Sequence, residues 1–126
     1  MKAAVVTKPN AYEIIDMPIP ALRDEYDVLI RVKAAGVCGS DPHLYHGENP
    51  MASYPRILGH ENAGVVARVG DKVSRVKVGD RVVVEQIEYC GKCYPCRIGR
   101  QNVCENLKVR GGVLDGGFRE YFPCSE

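Results

Sequence analysis

Cys90-Gly91-Lys92-Cys93-Tyr94-Pro95-Cys96-Arg97-Ile98-Gly99-Arg100-Gln101-Asn102-Val103-Cys104 carries four thiols in the pattern C-x2-C-x2-C-x7-C. One ion can gather all four. A tetrahedral zinc site takes soft ligands at about 2.3 Å, and a closed set of four cysteines is its usual structural form. Gly91 and Gly99 can adopt positive φ where the chain doubles back, and Pro95 stiffens the middle. Lys92, Arg97 and Arg100 are placed to offset the negative charge that four thiolates leave around the ion. Two other uses of such thiols compete. An iron–sulfur run of this kind continues with x3, Cys and Pro, whereas here the last gap is seven residues. Disulfides rarely make structural use of C-x2-C spacing. The pattern therefore favours a structural zinc lobe, spanning about residues 88–106.

The remaining composition narrows the class. A chain of 126 residues is one domain's worth, long enough for a hydrophobic core. Its 17 Lys and Arg against 16 Asp and Glu give no basic face, so nucleic acid is not an expected partner. No apolar run approaches a membrane span, and Met1–Thr7 stops short of a signal-peptide core. A cytoplasmic location is expected, which makes metal the better use for most of the six cysteines.

Around the lobe the chain reads as short strands between turns. Met1 to Lys8 is one strand, broken at Pro9-Asn10, with Tyr12 to Met17 as its hairpin partner. Tyr26 to Ala35 is the clearest strand, with Val28, Ile30 and Val32 on one face and Arg31 and Lys33 on the other. It runs into Gly36-Val37-Cys38-Gly39-Ser40-Asp41-Pro42-His43, where a short helix can begin, and Asn49 to Pro55 reads as an irregular loop. Ala63 to Gly70, Arg81 to Gln86 and Gly116 to Phe122 are read as further strands. The predicted fold is mainly β, a closed or partly open barrel with a few short helices and a projecting metal lobe.

Cys38, Ser40, Asp41, His43, His60 and Glu61 form a second constellation. Each alone has a bland reading: a lone Cys after a strand is commonly a small buried hydrophobe, and a lone His a turn or surface residue. Together they suggest more. A thiolate and an imidazole from two strand ends can hold a second zinc and leave positions open, as catalytic sites do. Glu61 can complete that shell or stand just outside it, and Asp41 can fix the His60 ring through its other nitrogen. Ser40 and His43 can then relay a proton from a bound hydroxyl to solvent. His46 is read as a loop residue and Cys124 as a free thiol.

The order Gly36-Val37-Cys38-Gly39-Ser40-Asp41, Gly59-His60-Glu61, Val69-Gly70 through Gly79-Asp80-Arg81-Val82, the four-cysteine lobe, and Asp115-Gly116-Gly117-Phe118 with Glu120-Tyr121 resembles the medium-chain zinc-dependent alcohol dehydrogenases. The resemblance covers essentially the whole chain. It implies that residues 1–126 are that family's N-terminal catalytic domain, a GroES-like, partly open β-barrel. Position by position it implies Cys38 and His60 as catalytic-zinc ligands, and Glu61 as a carboxylate that binds the zinc in some members. It implies Ser40 and His43 as the proton relay, and Cys90, Cys93, Cys96 and Cys104 as the structural zinc set. Ser53 to Glu61 and Cys93-Tyr94-Pro95-Cys96 are similar to the sorbitol, threonine and sugar-acid dehydrogenase branch.

Zinc and NAD or NADP are the cofactors so implied. The partner is a small secondary alcohol, polyol or sugar acid, and the full-length protein is expected to be a homo-oligomer, dimer or tetramer. The glycine pairs at 111–112 and 116–117 have the wrong spacing for a dinucleotide fingerprint, so a Rossmann cofactor domain is expected outside this stretch, together with the third ligand to the catalytic zinc. The stretch alone is expected to be inactive. Two rival readings are a non-enzymatic zinc-binding interaction module and a zinc-free relative of the same fold. Neutral charge and scarce aromatics weigh against a nucleic-acid form of the first, and Cys38 with His60 against the second.

Overall fold

The computed structural model describes residues 1–50 and 52–126. Met51, in the loop expected at Asn49 to Pro55, lies outside them. Strands β1 (Lys2–Lys8) and β2 (Ala11–Asp16) form the expected hairpin. Asn10 turns it at φ 61°, a left-handed conformation that Asn tolerates better than most side chains. Strand β3 (Asp27–Gly36) follows, then helix α1 (Ser40–His46), the short β4 (Arg56–Ile57) and β5 (Glu61–Val69). Next come β6 (Arg81–Val83), β7 (Ile87–Glu88), the single-turn helix α2 (Tyr94–Arg97) and a 3-10 turn at Gln101–Val103. Strands β8 (Lys108–Val109) and β9 (Tyr121–Ser125) complete the chain.

Three sheets result, in the orders β2-β1-β4, β6-β5-β3-β9 and β7-β8. The second has β6 and β9 as edges, so the barrel is not closed. Backbone bonds from Ala4 N–H to Phe118 C=O (2.8 Å) and from Val32 N–H to Glu120 C=O (2.9 Å) join the first two sheets through residues 118–120. The core lies on β3, β5 and β9, where Val28, Ile30, Val66, Phe122 and Cys124 pack together, with Val73, Val76, Val82 and Val84 against them. Leu29, on the opposite face of β3 from Val28 and Ile30, is buried as well. A smaller cluster of Val6, Leu44 and Leu58 seats α1 against β1.

Three sequence expectations shift. The returning strand begins at Tyr121 rather than Gly116, because Gly116, Gly117 and Phe118 donate their N–H groups to Ile57, Gly59 and Leu58 instead. The strand expected to reach Gln86 leaves the sheet after Val83, with Val84 N–H making one last bond to Asn62 C=O and Gln86 C=O accepting from Arg110 N–H. His46 is the last residue of α1, not a loop residue, and its Nδ1 meets Asn10 Oδ1 at 2.5 Å. Cys124 is a buried free thiol of β9, and burial pushes its pKa up.

A charged cluster anchors the start of β3. The fully buried Asp27 accepts from Arg23 at three points: backbone N–H (2.7 Å), Nε (2.8 Å) and Nη2 (2.7 Å). Glu88 on β7 pairs with the buried Arg110, which also lies over the Phe122 ring at 5.4 Å. Burial alone would raise the Asp27 carboxyl, but the Arg23 hydrogen bonds outweigh it and hold the group below the usual carboxylate range. The folded state therefore binds this proton more weakly than the unfolded chain does. Its stabilisation is complete above the unfolded carboxylate pKa of about 4 and is lost as pH falls through the depressed folded value. Asp27→Asn is expected to cost about 1.5–3 kcal/mol at pH 7. It should also flatten the acid limb of a plot of Tm against pH between about pH 5 and 2. An unchanged acid limb would assign that limb to other groups.

Candidate metal centres

The β3–β5 ladder builds the first centre. Its registered pairs run from Val28↔Val69 to Gly36↔Glu61, so the end of β3 and the start of β5 lie side by side. Cys38 stands two residues past the last pair and His60 one residue before it. Glu61 belongs to the pair itself. Their ligating atoms fall within 4.8 Å of one another. Gly36 is part of the fit, because a Cβ there would come 2.4 Å from Glu61 Oε2.

Asp41 ties the two ligand loops together. Its Oδ2 accepts from Cys38 N–H at 2.8 Å and its Oδ1 from Gly59 N–H at 3.4 Å. Asp41 and His60 are both buried, and Asp41 Oδ1 lies 3.6 Å from His60 Nδ1, which has no hydrogen bond. Just before His60, the glycines at 116 and 117 bring their backbone onto the segment Ile57–Gly59. A Cβ on Gly116 would meet Gly59 C=O at 2.1 Å, and one on Gly117 would meet Asn62 Oδ1 at 2.0 Å. That explains the glycine pair better than turn geometry does.

The donor set of one thiolate, one imidazole and one carboxylate fits zinc and leaves room for a further ligand. An imidazole with an orphaned buried nitrogen beside a carboxylate suits metal binding through the other nitrogen. Two members of the cluster, His60 and Glu61, line a cavity of about 640 Å³ together with Val83, Glu85 and Gln86 among others. Ser40 begins α1, and His43 sits within the same helix with Nδ1 2.6 Å from Glu48 Oε2. Among the described residues Ser40 and His43 share no hydrogen bond. The structure thus unites Cys38, His60 and Glu61 and leaves His43 on an exposed face.

The second centre is the lobe between β7 and β8. Cys93 Sγ lies 3.4 Å from Cys96 Sγ and 3.8 Å from Cys104 Sγ, and Cys104 Sγ lies 3.6 Å from Cys90 Sγ. A tetrahedron with metal–sulfur bonds of about 2.3 Å has sulfur–sulfur edges of about 3.8 Å. All four thiols are free, and the Asn106 N–H points at Cys104 Sγ from 3.3 Å. The backbone N–H groups of Lys92 and Cys93 draw the Cys90 thiol down to about 6. Burial, followed by the Cys93 and Cys104 sulfurs, pushes Cys96 up to about 12. The lobe residues fit a closed four-thiolate zinc site.

The alcohol dehydrogenase GroES-like domain family matches residues 24–126. The chain belongs to that family. It is 49% identical over 121 residues to the starvation-sensing protein RspB of Escherichia coli K12, covering 96% of this chain and 35% of RspB. Sorbitol dehydrogenase of Bacillus subtilis is 43% identical over 125 residues, again with 96% and 35% covered. Among solved structures, the alcohol dehydrogenase rspB of E. coli CFT073, complexed with NADH, superposes with a TM-score of 0.92 at 46% identity. Galactitol-1-phosphate dehydrogenase of E. coli superposes with a TM-score of 0.94 at 30% identity. Each of these two superpositions covers 99% of this chain and 36% of the other, so the chain spans about a third of these relatives' length. The GroES-like, mainly β fold expected from the dehydrogenase resemblance is thereby shown.

Sequence reasoning missed Asn62, the Glu88–Arg110 pair and the Glu85–Gln86 wall. Only Asn62 carried a signal, since strand alternation after the exposed Glu61 turns it inward.

Cys104→Ala is expected to remove one zinc equivalent, measured by native mass spectrometry of the full-length protein. It should also lower Tm, because binding at a closed thiolate site is part of the folding free energy. An undiminished zinc count would exclude the lobe as a metal site.

Proposed function

We infer that the full-length protein transfers a hydride from a secondary alcohol, such as a polyol or sugar acid, to NAD or NADP. The observation that carries this is the open Cys38/His60/Glu61 cluster beside a cavity, separate from the closed four-thiol lobe. An interaction module needs only the lobe. Similarity to a sorbitol dehydrogenase and to an NADH-bound alcohol dehydrogenase supports the substrate class and the cofactor.

Zinc held by Cys38, His60 and Glu61 would supply Lewis acidity toward an alcohol oxygen. The chain's own residues do the rest. Asp41 holds both ligand loops through their backbone N–H groups and places its carboxylate beside the His60 ring. The Ser40 hydroxyl, two residues past Cys38, takes the proton of the substrate hydroxyl as it releases its own, and an intervening water or hydroxyl carries that proton to the exposed His43 ring, which Glu48 steadies. Glu61 balances charge at the metal, within the space that Gly36 leaves. The family resemblance extends the reading to a cytoplasmic homo-oligomer, dimer or tetramer.

In the full-length protein, Cys38→Ala should lower kcat on a secondary alcohol by at least about a thousandfold while Tm stays near the parent value. Residues 1–126 alone should oxidise no sorbitol with NAD. Full activity in Cys38→Ala, or robust turnover by residues 1–126, would sink the assignment.

A further inference from the structure

The cavity lined by His60 and Glu61 has two unlike parts. On one side lie the ladder end and the ligands: Gly36, His60, Glu61 and Asn62. Alongside them, next to β5 through the Ala63↔Val83 pair, the chain leaves β6 as Val83-Val84-Glu85-Gln86. That segment is held by its backbone at both ends, through Val84 N–H to Asn62 C=O (3.0 Å) and Arg110 N–H to Gln86 C=O (2.9 Å). Glu85 Oε1 folds back to accept the Gln86 N–H at 3.0 Å, which fixes the carboxylate against the segment. Both side chains are exposed and line the cavity. The wall is therefore rigid in its main chain and polar at its tip.

Charge decides what such a wall accepts. The lining includes two acidic side chains, Glu61 and Glu85, and no Lys or Arg among the described residues. Within this stretch the Cys38 thiolate and the Glu61 carboxylate would offset the two charges of a divalent ion, which leaves Glu85 as the uncompensated charge of the lining. We propose that Glu85 and Gln86 determine specificity, receiving the hydroxyl groups of a neutral polyol and rejecting substrates that carry a carboxylate or phosphate. The Glu85 carboxylate accepts from one hydroxyl, and the Gln86 carboxamide both donates and accepts. A simple secondary alcohol reaches the metal ligands but makes neither contact. An anionic substrate of the same length places its charge beside Glu85, a repulsion that lowers binding by about tenfold or more at an effective dielectric near 20.

The inference rests on the hydride-transfer reading and narrows its substrate class. Its test uses the zinc-loaded full-length protein with NAD or NADP. kcat/KM is measured on an alditol, the aldonate of the same carbon length, an alditol phosphate and propan-2-ol. The parent should prefer the alditol over the aldonate and the phosphate by at least about tenfold. Gln86→Ala should lower the ratio of alditol to propan-2-ol by about tenfold to a hundredfold, mainly through KM for the alditol. Glu85→Gln should narrow the preference for alditol over aldonate, and Gln86→Glu should widen it. A parent that favours the aldonate or the phosphate, or variants whose ratios stay within about twofold of the parent, would overturn the proposal while propan-2-ol turnover upholds the hydride-transfer reading. Absence of turnover on every alcohol would overturn both.

Discussion

Antiparallel pairing between β3 and β5 is the constraint on which the rest of the domain depends. An antiparallel ladder sets the exit of one strand beside the entry of the other, so residues far apart in sequence become neighbours at one end. Here that end is Gly36↔Glu61, and the trio of Cys38, His60 and Glu61, which could hold an ion, hangs from it. A slip of one residue would turn every side chain of β5 to the opposite face. His60 and Glu61 would then lose Cys38. Val66 would leave the core at the same time, so packing and site are specified by one register.

The two metal clusters answer to different demands. The lobe closes on itself: its backbone amides point at sulfur, and its tie to the barrel is the short β7–β8 ribbon. The other cluster draws its ligands from two strands and leaves one side open to the cavity. Glu88 and Arg110 join these regions, since they belong to the ribbon's neighbourhood and meet Arg23 and Phe122 of the barrel. The lobe thus stands on a base of buried charge as well as on two backbone pairs.

Much of this was legible in the residues. C-x2-C-x2-C-x7-C foretold the lobe because ligand spacing is local and the chemistry of four thiols admits few uses. The alternation in Tyr26–Ala35 foretold β3, and the break at Pro9-Asn10 foretold the first hairpin, for the same reason of locality. Cys38 and His60 could be paired as possible ligands from their chemistry, but their meeting in space was implied only by the resemblance, because nothing in their own neighbourhoods says that two strand ends meet. What stayed hidden was tertiary. Gly116–Phe118 looks like a strand, yet its amides are taken by Ile57–Gly59, and no local pattern reveals that partner. Arg110 is buried against a ring and a carboxylate supplied from elsewhere in the chain, which its own neighbours do not announce.

The missing Cβ at position 36 has a consequence for how such a centre can diverge. With hydrogen there, the Glu61 carboxylate has room on the β3 side, close to the thiolate and the imidazole. A methyl group at the same place would act as a stop and push the carboxylate toward solvent. Whether the carboxylate could join Cys38 and His60 around an ion would thus be governed by an atom that never touches it. Position 36 would act as a mechanical dial on coordination number, one that drift at a single codon could turn while Cys38, His60 and Glu61 all stayed in place.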